Sequence, residues 1–376
     1  MTQGAIPFVD LKAQYRHLKA DIDARIARVL EHGAFIMGPE VAELEKALGE
    51  FCGAKHVISC SSGTDALQMV LMAENIGPND AVFMPSFTFT ATAEVVLLLG
   101  AEPVFVDVDG RDFNIDLASL EAAIARVRKE GRLKPRGVIA VDLFGLPADY
   151  SALKKICDQH GMLLLADAAQ SFGGARDNTR VGLLAPATAT SFFPAKPLGC
   201  YGDGGAIFVQ DDTLAHTLRS IRAHGKGDDK YDIVRVGVNG RLDTIQAAVL
   251  LAKLPSFAAE IEAREKLSKH YDEMLKGLVV TPLRPKGAQS AWAQYSILTP
   301  KRDDLANKLK AAGVPTAVYY PRPMHLQTAY AQFGGGPGSL PVSEKLSGEI
   351  LALPMHPFMP EETADRIGAA IKAALV

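Results

Sequence analysis

Tryptophan occurs once and cysteine four times in 376 residues. Cys52, Cys60, Cys157 and Cys200 show no C-x-x-C spacing and no repeated interval, so they read as reduced thiols rather than a disulfide or metal framework. No polybasic block interrupts the dispersed Lys and Arg, and the net charge is only −3; nothing supports binding to nucleic acid or a membrane surface. The longest apolar run, around Val95-Val-Leu-Leu-Leu99, is far too short to span a bilayer. The opening Met-Thr-Gln-Gly-Ala-Ile-Pro lacks the basic and apolar regions of a signal peptide, and the expected location is the cytoplasm. The nine histidines show no H-x-x-x-H spacing, so no metal is expected. The G-x-G-x-x-G fingerprint of a nicotinamide-dependent oxidoreductase is missing after the first expected strand, and a P-loop and a G-x-S-x-G elbow are absent as well. What is present is ordinary for a soluble globular protein: 48% hydrophobic and 22% charged residues, with length enough for two domains.

Helical patterns are expected over 14–31 and from Pro39 to about 51, the second favoured by Pro at the first helical position and by Glu40, Glu43 and Glu45. From 55 to 210, short runs rich in β-branched or aromatic residues fall at 56–60, 81–84, 103–108, 137–143, 162–166, 187–193 and 205–209, with helical patterns between several of them. Seven buried strands with crossover helices predict an α/β domain with a largely parallel sheet. A long helix after Asp243, with a kink at Pro255, leads into a smaller C-terminal α+β domain; the expected division is 1–248 and 249–376. Ligands of such sheets bind beyond the carboxyl ends of the strands. Those ends are where chemistry is sought.

The stretch Ser191-Phe-Phe-Pro-Ala-Lys196-Pro-Leu-Gly-Cys-Tyr-Gly-Asp-Gly-Gly205 sets one lysine between two prolines. Pro194 and Pro197 stiffen the backbone on either side. Gly199, Gly202, Gly204 and Gly205 allow positive φ or close approach by a ligand. A rigid, desolvated amine suits Schiff-base chemistry because it is neutral and nucleophilic. A solvated surface lysine is the plainer alternative.

Ser61-Ser62-Gly63-Thr64-Asp65 after the first strand reads either as a phosphate cradle at a helix N-terminus or as a simple cap. Phe89, after the second strand, can stack on a flat ring or fill the core. Asp167, at the tip of the fifth strand, needs a cationic or N–H partner; helix capping or a pyridinium N–H would each supply one, and Gln170 follows three residues on. Ser191 ends the sixth strand, five residues before Lys196.

The order of these features, from cradle through aromatic, Asp and Ser to Lys, is that of a pyridoxal phosphate (PLP)-dependent transaminase of fold type I, the aspartate aminotransferase-like fold. The chain resembles the DegT-type nucleotide-sugar aminotransferases over nearly its whole length. The matching stretches include Gly33-Ala-Phe-Ile-Met-Gly-Pro-Glu40, Ser62-Gly-Thr-Asp-Ala-Leu67, Pro85-Ser-Phe-Thr-Phe-Thr-Ala-Thr-Ala93, Asp167-Ala-Ala-Gln-Ser171, Val238-Asn-Gly-Arg-Leu-Asp243 and Tyr320-Pro-Arg-Pro-Met-His-Leu-Gln327. The resemblance implies that Lys196 carries PLP as a Schiff base and moves the proton. It implies that Asp167 pairs with the pyridine nitrogen, Gln170 holds the ring hydroxyl, Phe89 stacks on the ring, and Gly63, Thr64 and Ser191 bind the phosphate. Asn239 would reach the phosphate of a neighbouring subunit in a homodimer with shared sites, and Arg241, Tyr320 and His325 would contact substrate. L-glutamate is the implied amino donor and a nucleotide-linked keto-sugar the acceptor. The loop after Lys196 resembles members that aminate sugar carbon 3, including UDP-sugar 3-aminotransferases of O-antigen synthesis; carbon-4 enzymes, and non-transaminating PLP-binding dehydratases or regulators, are the alternatives. The dehydratases replace the lysine by histidine. Two positions depart from the common pattern: Ala166 where many members have Glu, and Asp142 where many have His.

Overall fold

The computed structural model describes residues 5–229 and 231–375. In chain order the elements are α1 (Leu11–His32), α2 (Pro39–Cys52), β1 (His56–Cys60), α3 (Gly63–Ala73), β2 (Asp80–Pro85), α4 (Ala91–Leu98), β3 (Glu102–Val106), α5 (Leu117–Glu130), β4 (Lys134–Val141), α6 (Tyr150–His160), β5 (Leu163–Asp167), β6 (Ala175–Arg176), β7 (Thr179–Arg180), β8 (Ala187–Ser191), β9 (Gly205–Val209), α7 (Asp212–Arg222), α8 (Thr244–Leu275), β10 (Ala288–Gln289), β11 (Tyr295–Leu298), α9 (Arg302–Ala311), α10 (Pro341–Glu349), β12 (Ile350–Leu353) and α11 (Glu361–Leu375).

The large sheet has seven strands in the order β1-β9-β8-β5-β4-β2-β3. Five neighbours, β8, β5, β4, β2 and β3, run parallel, and β9 alone runs against them and against β1. Their apolar runs are buried on both faces, as crossover helices require. Because β8, β5, β4 and β2 share a direction, Ser191, Asp167, Val141 and Pro85 all finish at one edge. The two antiparallel pairings place Cys60 and Ser191 both opposite Gly205. That register brings the start of α3 beside the end of β8.

Helix ends follow local signals. Gly38 precedes Pro39 at the start of α2, and Gly53 closes that helix with φ 87°. Helix α8 continues through Pro255. By length and composition it could cross a membrane, with 61% of its apolar window buried; Ala247, Leu250, Leu251, Phe257 and Ile261 pack in the core between α2, β9 and the lysine loop. The expected division at residue 248 falls inside α8. Its C-terminal half, with Tyr271 and Leu275, packs with β11, β12, α9 and α11 into a separate core that also takes in Ile6 from the N-terminal segment.

Candidate active site

Lys196 leaves the sheet edge on the loop joining β8 to β9. Pro194 occupies the second position of a tight turn closed by the Lys196 N–H, which donates to the Phe193 carbonyl at 2.8 Å. The Cys200 N–H donates to the Phe192 carbonyl at 2.8 Å, so the loop folds back on its own start. None of the glycines after Lys196 takes positive φ, one of the two expected reasons for their presence. Close approach by the chain itself accounts for two of them: a Cβ on Gly199 would lie 2.5 Å from the Pro194 carbonyl oxygen, and one on Gly205 2.4 Å from that of Ser62. Gly199 lets the loop fold against its own backbone, and Gly202, Gly204 and Gly205 let Gln246, Leu242 and Ser62 pack against it.

A buried lysine that sequence reasoning passed over holds this loop from below. Lys253 Nζ on α8 donates to the Gly199 carbonyl at 2.6 Å and lies 4.3 Å from the centre of the Tyr201 ring. Burial pushes its amine down to about 8. Two turns earlier on α8, the Gln246 Oε1 accepts from the Tyr201 N–H at 2.8 Å. Only the helical spacing could have hinted at the pair.

Across from Lys196 stands Asp167, buried at the end of β5. Its carboxylate accepts from Thr92 Oγ1 at 2.9 Å and from the Ala169 N–H at 3.3 Å. Desolvation raises its carboxyl above the usual range, while the Thr92 and Ala169 donors and the Lys196 charge pull it back. Desolvation likewise lowers the Lys196 amine, and Asp167 opposes that shift. Two opposite charges, each destabilised by burial, therefore share one pocket. Thr92, in the first turn of α4, is a second residue missed at the sequence level; its place in a helix start gave no sign of its partner.

The capping reading of the Ser61–Asp65 segment is seen directly. The Ser62 Oγ accepts from the Asp65 N–H at 3.0 Å as an N-cap. Gly63 and Thr64 then carry first-turn N–H groups with no partner inside the helix. A Cβ on Gly63 would come within 2.7 Å of the Ser191 Cβ, so only glycine lets the helix start meet the end of β8. These N–H groups and the Ser191 hydroxyl lie at one corner, an arrangement of donors that can take an anion.

Gln170 is buried beside Asp167. Its Oε1 accepts from the Phe144 N–H at 2.5 Å, and its Nε2 donates to Tyr320 OH at 3.3 Å. Phe89 is 55% exposed, with its ring centre 6.2 Å from that of Tyr320. An aromatic this open is not core packing, and it offers a face to a flat ligand. Tyr320 thus stands between Phe89 and Gln170.

The remaining expected contacts separate. Asn239 and Arg241 line a cavity of about 420 Å³ with Ser61, Gly202, Asp203 and Gln246, adjoining the anion corner from the side. The Arg241 Nε is buried without a partner among the described residues. His325 is 1% exposed; its Nδ1 faces Ser86 Oγ at 2.6 Å and its Nε2 faces Glu344 at 3.1 Å. Both ring nitrogens are engaged within the chain, tying the end of β2 to α10. Asp142, one of the two departures from the common pattern, is wholly buried and faces the interior rather than the pocket. Among the described residues no cluster of His, Cys, Asp or Glu could hold a metal ion.

The model of the DegT/DnrJ/EryC1/StrS aminotransferase family matches residues 16–372. The chain is 48% identical over 367 residues to the UDP-2-acetamido-2-deoxy-3-oxo-D-glucuronate aminotransferase of Pseudomonas aeruginosa, covering 97% of this chain and 99% of that one. The crystal structure of a DegT DnrJ EryC1 StrS aminotransferase from Brucella abortus superposes with a TM-score of 0.96 at 55% identity, over 98% of this chain and 99% of the other. NtdA from Bacillus subtilis, solved with bound cofactor PMP, superposes with a TM-score of 0.91 at 29% identity, over 100% of this chain and 86% of that one.

Proposed function

The chain belongs to the DegT/DnrJ/EryC1/StrS aminotransferase family, and from that premise we propose that it transfers the amine of L-glutamate to carbon 3 of a UDP-linked keto-sugar, using PLP. The observation that carries this reading is the half-buried Lys196 set against the buried Asp167 at one edge of the sheet, each shifted by desolvation and each opposing the other's shift. The named relative from Pseudomonas aeruginosa supports the sugar and the carbon.

The residues fit the cofactor. A buried carboxylate with a raised pKa lacks a full positive partner, which a pyridinium N–H would supply. The glycine at the start of α3 opens a corner for a phosphate beside Ser191. Bound PLP supplies an aldehyde that captures amines and a ring that withdraws electrons from the attached carbon. The chain supplies the rest. Desolvation keeps the Lys196 Nζ in its neutral form more readily than a surface lysine, so the same atom serves as nucleophile and then accepts and returns a proton. Asp167, oriented by Thr92 and the Ala169 N–H, holds negative charge at a fixed point. The Gln170 Nε2 would donate to the ring hydroxyl, the open face of Phe89 would cover one side of the ring, and Gly63, Thr64 and Ser191 would hold the phosphate.

The second part of the reading is a homodimer. Phe35, Ile36, Met37, Phe193, Ile233, Val234 and Val236 are exposed apolar residues on the segments that lead to the Asn239 and Arg241 cavity, and a second copy would cover them. Asn239 then reaches the partner's phosphate site. Asn239→Ala is expected to weaken PLP affinity about tenfold, as loss of one hydrogen bond to a charged group does, measured by titrating apoprotein with PLP. A wild-type monomer whose affinity ignores this substitution refutes the shared site. A cytoplasmic enzyme feeding surface-polysaccharide synthesis completes the proposal.

A panel of UDP-, dTDP- and GDP-linked 3-keto and 4-keto sugars, with L-glutamate as donor, tests the reaction. Turnover is expected with a UDP-linked 3-keto sugar. Turnover confined to 4-keto sugars sinks the assignment of the carbon.

A further inference from the structure

Beyond the pocket, the turn after β4 is built in a way that the reaction does not by itself require. Asp142 is fully buried. Its Oδ1 accepts from the Ala148 N–H at 2.8 Å and from Tyr150 OH at 2.7 Å, and its Oδ2 accepts from Ser171 Oγ at 2.5 Å. Its own N–H donates to the Asp167 carbonyl at 3.1 Å. One side chain thereby ties the end of β4 to α6 and to the segment after β5.

The turn it anchors is strained. Phe144 has φ 59°, a left-handed conformation that a bulky residue adopts only when its surroundings force it. Gly145 follows with φ 106°, and a Cβ there would lie 2.7 Å from the Trp292 backbone nitrogen. The Leu143 N–H donates to Asn114 Oδ1 at 3.2 Å, and the Gly145 carbonyl accepts from the Ala291 N–H at 2.9 Å. What the left-handed Phe144 achieves is the direction of its N–H, which points at Gln170 Oε1.

That bond settles the orientation of the Gln170 amide. A backbone N–H must meet the carbonyl oxygen, so the NH₂ lies on the opposite side, where it donates to Tyr320 OH. Gln170 can offer donors, and no acceptor, to whatever sits beside Asp167.

We propose that Asp142 is a positioning residue: anchored on Tyr150 and Ser171, it fixes the turn whose Phe144 N–H locks Gln170 with its NH₂ facing the cofactor's ring hydroxyl. The inference rests on the reading of Gln170 as the partner of that hydroxyl. A donor there favours the deprotonated hydroxyl oxygen, so the anchor sets the electronic state of the bound chromophore.

The choice of variants follows from the network. Burial pushes the Asp142 carboxyl up to about 7, with Asp167 on β5 adding to the rise; besides Asp167, the titratable group facing it is Tyr150 on α6. A neutral side chain of the same shape is therefore tolerated. In Asp142→Asn the oxygen keeps the Ala148 and Tyr150 donors, and the NH₂ donates to a rotated Ser171 hydroxyl. Asp142→Ala removes all three bonds.

The test compares wild type, Asp142→Asn and Asp142→Ala, with Ser171→Ala as a milder break should Asp142→Ala fail to fold. Three readouts are taken: the pH midpoint of the visible absorbance of PLP-loaded protein, kcat and KM for L-glutamate, and the crystal structure of the cofactor-free variant. Asp142→Ala is expected to move the midpoint by about one pH unit and to lower kcat roughly 10- to 100-fold, with KM nearly unchanged, as displacement of a supporting group does. In its cofactor-free crystal the Gln170 Oε1 leaves the Phe144 N–H. Ser171→Ala shifts the same quantities in the same direction by less. Asp142→Asn is expected to restore both absorbance and kcat to within about threefold of wild type, the size of one modest hydrogen-bond change. The proposal is overturned if folded Asp142→Ala or Ser171→Ala keeps the wild-type spectrum and an undisturbed Gln170, or if Asp142→Asn fails as badly as Asp142→Ala. Wild-type protein that binds no PLP overturns the cofactor reading instead; the cofactor-free crystals then still report on the anchor itself.

Discussion

Lys196→Ala is expected to reduce the half-reaction with L-glutamate by roughly 10⁴-fold, because it removes both the nucleophile and the group that moves the proton. PLP should still bind, held by the anion corner of Gly63, Thr64 and Ser191 and by Asp167, though no longer fixed to the chain by borohydride. Stopped-flow absorbance with L-glutamate, followed by mass spectrometry of reduced protein, reads both effects. The opposing shifts sharpen this expectation. Lys196 is the cation that pulls the Asp167 carboxyl back toward its usual range, so Asp167 in the cofactor-free variant should titrate still higher than in wild type. Turnover retained in Lys196→Ala would falsify the placement of the chemistry on this loop.

Asp167→Asn is expected to cost roughly 10²–10³-fold in kcat, the size of losing one preorganised charge in a dry site. Its effect on stability runs the other way. A buried carboxyl whose folded pKa lies above its unfolded value binds more protons in the folded state over that interval, so stability falls as pH rises through it. At neutral pH the carboxylate therefore destabilises the cofactor-free protein, and Asp167→Asn should raise its melting temperature while lowering activity. A site selected for stability would show both falling together. Calorimetry of cofactor-free protein at pH 7, beside steady-state kinetics of the loaded form, separates the two outcomes.

Much of the large domain was legible because its signals are local. The apolar run Leu163–Ala166 followed by Asp167 announces a buried strand with a carboxylate at its tip, and the sheet places that strand between β4 and β8. The Ser62–Asp65 cap announces the start of α3. The short hairpin of β6 and β7, helix α7, and the late pair α10 and β12 were not anticipated. Their sequences are short or mixed in pattern, and β12 is decided by pairing with β11, more than fifty residues earlier in the chain.

His325 shows where local reading ends. Its motif resembles a substrate-binding segment, and the fold engages both ring nitrogens with Ser86 and Glu344, residues far apart in the chain. The glycines after Lys196 teach the same lesson at closer range: composition suggested positive φ or close approach by a ligand, while around Gly199 and Gly205 it is the chain's own backbone that comes close.

By itself the sequence determined which residues stand at the ends of the strands, since each is set by where its apolar run stops, and parallel strands must end on the same edge. Only the tertiary structure decided how those residues are held: Thr92 on Asp167, Lys253 under the lysine loop, and Asp142 behind Gln170. Each is a hydrogen bond, or a chain of them, between elements brought together by packing. The direction of such a bond depends on backbone angles that no spacing along the chain records.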